Sequence, residues 1–148
     1  MLLQFIVLAL FGMAMAHVEG VVVVYLRKAI GLLDPKVDNR QALDQVPRRY
    51  VQIEMTREAA TIVMLVSLAW LMGENLLHQI MVFLWTFAFW DLFYYVSLYL
   101  LIGWPPKLTT TDVLFLIPRP WIAPVWFPLG VSSLTIILIF LLYLLPYC

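Results

Sequence analysis

Four ionisable side chains lie inside stretches that are otherwise apolar. His17 and Glu19 fall within the run 2–26, Glu58 near the start of a second apolar stretch, and Asp91 at the middle of a third. A charge at mid-bilayer costs about 2.5–3.5 kcal/mol on insertion scales, so such groups turn toward other helices or a water-filled cavity. Three carboxylates and an imidazole suit a hard or borderline divalent ion, or a bound proton. His17, Glu19, Glu58 and Asp91 are therefore the candidate metal cluster, with a divalent metal as its cofactor. Glu19, Glu58 and Asp91 are the candidate acid–base groups of a catalytic centre.

Each residue also has a plainer reading. Two residues of helix turn His17 about 200° away from Glu19, so the pair does not chelate one ion without distortion. Glu54 and Glu58 are one turn apart with Arg57 beside them, the pattern of an interfacial salt-bridge network. Tyr94 and Tyr95 lie three and four residues beyond Asp91, where a hydroxyl can satisfy its carboxyl group. Glu74 and His78 would share a helical face and could hold zinc, but a hydrated turn explains them as well. The aromatic residues crowding 83–99 read as packing or lipid contact before pigment or quinone contact. No Ser-His-Asp order, phosphate loop or H-E-x-x-H signature is present.

The elements that must position these groups follow from composition. Of 148 residues, 64% are hydrophobic and 12% charged. A soluble fold of this size keeps too much surface in water to hide that much apolar area. The expected solvent is a lipid bilayer, and the expected fold is an all-α integral membrane protein, a single domain of four transmembrane helices. The net charge of zero leaves no basic footprint for nucleic acid. The lone cysteine, Cys148, permits no intrachain disulfide and is read as a bystander. The start resembles a signal peptide, with Ala14-Met15-Ala16 as a cleavage-like site. No Lys or Arg precedes the apolar run, so an uncleaved first span is expected.

The spans are placed at about 2–26, 50–72, 80–102 and 125–145. In lipid only a helix or a closed barrel satisfies every backbone polar group, so even Val21-Val22-Val23-Val24 is read as helix. The 27–49 connection is hydrophilic, with turn signals at Asp34-Pro35 and Val46-Pro47. Gly73-Glu74-Asn75 marks a tight connection, and Gly103-Trp104-Pro105-Pro106 ends the third span. The segment 104–124 is expected to be a short interfacial or re-entrant helix. Thr109 and Asp112 are spaced as its capping pair, and the tryptophans around it prefer the headgroup boundary. Ser132, Ser133 and Thr135 can bond back to the preceding turn. Gly12, Ala16 and Gly20 form a small-residue stripe for helix packing, with Glu19 at its border.

Seven of the nine Lys and Arg lie between Arg27 and Arg57, and the other two, Lys107 and Arg119, lie between spans three and four. The positive-inside rule puts both connections in the cytoplasm and both termini outside. The first functional expectation is a non-catalytic subunit or scaffold of a larger membrane complex, partnered by other membrane subunits or copies of itself. The alternatives are an intramembrane enzyme with a carboxylate and histidine centre, and a proton-coupled small transporter.

Overall fold

The computed structural model describes residues 1–31, 33, 36 and 44–147, with Tyr147 described by its backbone alone. The expected turn at Asp34-Pro35 and the residue Cys148 lie outside the described residues. The fold is mostly helical: α1 (Leu2–Ala29), α2 (Arg48–Met72), α3 (Leu76–Ile102) and α4 (Trp126–Ile139). The last helix runs on through a wide π-helical turn, Phe140–Leu144, and a tight turn, Leu145–Tyr147. Among the described residues, these four helices are long and apolar enough to cross a membrane.

The chain passes up and down. At one end Phe5 of α1 stacks on His78 of α3, and Tyr143 of the final turn contacts both rings. Gln4 Nε2 donates to the Met72 carbonyl at the close of α2. All four helices therefore have an end here. The close of α1 at Ala29, the start of α2 at Arg48 and the segment from α3 to α4 are at the opposite end.

The third helix is central and packs along the other three. Its N-terminus is capped by Asn75, whose side chain accepts from the His78 amide at 3.0 Å. It ends at Gly103, whose φ of 68° is the left-handed cap that glycine adopts without penalty. Helix α1 comes close to it through Gly12, Ala16 and Gly20, all buried. A Cβ at Gly12 would stand 2.8 Å from the Thr86 carbonyl oxygen, and one at Gly20 would stand 3.1 Å from the Ser97 Cβ. Phe5, Leu8, Ala69, Val82, Trp85, Ile139 and Leu144 fill the core near the aromatic end. The buried Trp85 indole N–H donates to the Phe5 carbonyl at 2.8 Å, so its polar edge is satisfied. The outer faces are apolar. Leu71, Leu100 and Leu142 are 80%, 78% and 76% exposed, a coat that suits lipid and not water.

The segment 104–124 is not a helix. It forms an antiparallel hairpin, β1 (Thr111–Phe115) paired with β2 (Trp121–Pro124), with an irregularity between Val113 and Phe115. Three prolines explain the difference. Pro118, Pro120 and Pro124 lack the amide a helix needs and push their preceding residues to extended conformations, while Pro128 falls in the first turn of α4, where it is tolerated. Val113 and Ile122 are β-branched and face each other across the ladder. Asp112, expected to belong to a helix cap, sits inside β1.

The close approach of α1 and α3 gives an ordered set of effects. Gly12→Ala is expected to destabilise the bundle by about 1–3 kcal/mol, because backbone must move to admit the methyl group. Gly20→Ala should cost less. Gly130→Ala, which meets nothing within 4 Å, should be neutral or stabilising by up to about 1 kcal/mol. Unfolding by added denaturing detergent in mixed micelles would read this order.

Candidate functional site

Acidic side chains from α1, α2 and α3 meet at the hairpin end of the bundle. The meeting point of α1 and α2 is Arg57, one turn from Glu54 and three residues from Glu54 in sequence. Its Nη1 lies 2.8 Å from Glu19 Oε1, and its Nε donates to Glu54 Oε2 at 2.8 Å. A guanidinium suits this double role because its donors form a rigid planar fork. The other Glu19 oxygen accepts from the Trp90 indole N–H of α3. Glu19 thus ties three helices with one carboxylate. The interfacial network expected of Glu54 and Arg57 exists, and it extends to α1.

Glu58 is buried and has a different task. It lies ten residues beyond Arg48, about 15 Å along α2 at 1.5 Å per residue. Its two oxygens accept from the backbone amides of Leu116 and Ile117, at 2.8 and 3.1 Å. Those amides are at the tip of the hairpin, past the end of β1. The hairpin therefore reaches back among the helices, where Phe115 also stacks against Phe87 of α3 with ring centres 6.1 Å apart. Re-entrant backbone is tolerated at depth when protein groups satisfy it.

Asp91 does not bond to a tyrosine. Its Oδ2 accepts from the Ser132 hydroxyl of α4 at 2.7 Å. The Tyr95 hydroxyl instead donates to Asp112 Oδ2 at 3.0 Å, and the Asp112 Oδ1 accepts from the Val113 amide at 2.8 Å. Among the described residues, Asp91 Oδ1 has no hydrogen-bond partner, and it is not one of the fully buried orphan atoms.

Between these groups lies a cavity of about 170 Å³. Glu19, Glu54, Glu58, Asp91 and Asp112 line it, together with Arg27, Arg57, Tyr94 and Tyr95. Tyr50, Val51 and Ile30, where α1 and α2 face their connection, complete the wall. Three of the four predicted site residues, Glu19, Glu58 and Asp91, therefore border one cavity.

The predicted metal cluster is not assembled. His17 is exposed and lies with Nδ1 3.4 Å from the Ser97 hydroxyl, away from the cavity. Among the described residues no group of three His, Cys, Asp or Glu side chains stands close enough to hold a metal ion. The physical reason is that each carboxylate is drawn to its own donor: Glu19 to Arg57, Glu58 to the hairpin tip, Asp91 to Ser132. His78 is likewise not part of a hydrated zinc face. It is buried, stacked on Phe5, and its Nδ1 accepts from the Glu74 amide at 3.3 Å.

Ser132 and the hairpin amides are partners the sequence did not expose. Ser132 sits among three hydroxyl residues, and only its position on α4 opposite Asp91 separates it from Thr135, which does bond back to its own helix, at the Val131 carbonyl. Trp90 is adjacent to Asp91 and was legible only as one aromatic among many. Comparison with known proteins finds no matching family model, no matching curated protein and no matching solved structure.

Two measurements test the polar contacts. Glu58→Gln keeps one acceptor oxygen and turns an amide group toward the other donor. Losing one charge-assisted bond is expected to cost about 1.5–3 kcal/mol. Hydrogen exchange at Leu116 and Ile117 should then accelerate by about tenfold to a hundredfold, with α1 protection little changed. In a double-mutant cycle, Glu19→Gln and Arg57→Met should show a coupling of about 1–3 kcal/mol. Additive effects would leave that bridge without energetic weight.

Proposed function

We propose that this chain is a four-span integral membrane protein that binds a small cation, or a molecule bearing one, in the cavity between α1, α2, α3 and the hairpin. In this reading both termini lie outside and the hairpin end faces the cytoplasm. All the Lys and Arg residues with described positions belong to that half of the bundle, which supports the orientation. The observation that carries the binding proposal is Asp91, which keeps one carboxylate oxygen without a partner at a cavity lined by five carboxylates and two guanidiniums. A cleft with an excess of one charge sign and low-dielectric walls concentrates ions of the opposite sign.

The roles divide accordingly. Asp91 contacts the ligand cation. Glu19, Glu54 and Arg57 set the charge around it and tie α1 to α2 beside the cavity. Glu58 and Asp112 fix the hairpin that forms one wall. Such a site serves an intramembrane acid–base reaction or proton-coupled movement of the bound cation, and both use Asp91 as the group that exchanges a proton for the ligand.

The non-catalytic subunit reading rests on the outer face of α2. Ile53, Val63, Met64, Val66, Trp70 and Leu71 are exposed there and would suit a neighbouring helix as well as lipid. One experiment separates the two. The purified full chain is heated in detergent with manganese(II), tetramethylammonium or ethanolamine. A ligand at a hundred times its Kd adds about 2.7 kcal/mol of stability, enough to shift unfolding visibly. The binding reading expects at least one probe to stabilise the chain and Asp91→Asn to abolish the shift. If no probe stabilises it and larger membrane proteins copurify in stoichiometric amount, the subunit reading stands instead.

A further inference from the structure

A second concavity lies on the outer face of the bundle, and Tyr95 is common to its wall and the wall of the polar cavity. It is a groove of about 560 Å³ between α3 and the start of α4. Leu92, Val96 and Leu100 of α3 form one side, and Val125 and Leu129 the other. The chain at Pro105 to Leu108 closes one end. Lys107 is the one lining residue with a formal charge. Lys107 is exposed and forms no ion pair among the described residues.

The backbone that carries this lysine is held in place. The Lys107 carbonyl accepts from the Thr110 amide at 3.1 Å, and the neighbouring Leu108 carbonyl accepts from the Trp126 amide at 3.0 Å. The lysine therefore starts where the apolar trough ends, between the hairpin and the first turn of α4, and its flexible stem keeps the ammonium within reach of that end. A trough of aliphatic and aromatic side chains with one cation at its end matches an acyl chain joined to an anionic headgroup. A neighbouring protein helix would leave the ammonium unanswered, and a zwitterionic lipid would offer it no net charge.

We propose that the groove between α3 and α4 is a binding site for an anionic phospholipid, with one acyl chain along Leu92, Val96 and Leu129 and its phosphate against Lys107. Juxtamembrane lysines are suited to anionic headgroups as compact, strongly hydrated point charges. The groove shares only Tyr95 with the polar cavity, and this proposal does not rest on cation binding there, so either reading can fail alone.

The test uses the full chain in nanodiscs of equal phosphatidylglycerol and phosphatidylcholine, released for native mass spectrometry. The wild type should retain phosphatidylglycerol about fivefold over phosphatidylcholine. Lys107→Glu should remove that preference, and Lys107→Arg should keep it. Val96→Trp fills the groove from a position that is already 43% exposed, so the fold persists, and it should lose both lipids. Equal retention by the wild type, or an unchanged preference in Lys107→Glu, overturns the proposal. A dimer lost on Val96→Trp without a lipid preference would assign the groove to a second copy of this chain and overturn it equally.

Discussion

A backbone amide removed from water must find an acceptor, and the arrangement at the hairpin end follows from how Glu58 meets that need. A two-stranded hairpin is marginal on its own, and its tip amides have no ladder partner. Glu58 supplies both oxygens to Leu116 and Ile117. The next residues reduce the demand further, since Pro118 and Pro120 have no amide hydrogen to satisfy. With its tip held, the hairpin can lie against α3, where Phe115 meets Phe87 and Asp112 meets Tyr95. A carboxylate that looks expensive in an apolar helix is here the acceptor that lets irregular backbone sit among helices.

The same constraint places the remaining charges. Removing a buried carboxylate from its cation leaves an uncompensated charge, which costs far more than the pair contributes. Glu19 on α1 therefore requires a donor from another helix, and Arg57 on α2 provides it while also holding Glu54. Small residues let α1 lie against α3, and Ala16, Leu65 and Trp90 pack together beneath the bridge. Packing and ion pairing thus agree on one relative rotation of α1: Ala16 inward, Glu19 toward α2 and α3, His17 outward.

Much of this was legible in the sequence, and the failures have specific causes. Four long apolar runs, the break at Gly73 and the stop at Gly103 gave the helices, because length and hydropathy dominate in such a chain. The 200° turn between His17 and Glu19 correctly separated them. The hairpin was hidden because Thr109 and Asp112 mimic a capping pair, and because Val113-Leu114-Phe115 is too short to show a period. Pro118, Pro120 and Pro124 were the better signal there. That Glu19, Glu58 and Asp91 border one cavity accords with the cost of setting a carboxylate in an apolar stretch. Their individual partners did not follow, since Ser132 is 41 residues from Asp91 and backbone amides have no sequence signature.

The two ends of the bundle are built on opposed principles, and that opposition gives the cavity its location. At the end where all four helices have a terminus, Phe5, His78, Trp85 and Tyr143 pack ring on ring. The His78 Nδ1 accepts from the Glu74 amide, so the neutral ring carries its proton on Nε2, against apolar neighbours and with no partner among the described residues. At the other end the hairpin lies against the helices and is held by the carboxylates of Glu58 and Asp112, while Arg57 bridges α1 and α2. Ring packing resists opening because every displacement exposes apolar surface, whereas a hydrogen-bonded wall can exchange one partner for water. In the proposed reading a ligand enters where the wall is polar, and the aromatic end holds the four helices in register as it does so.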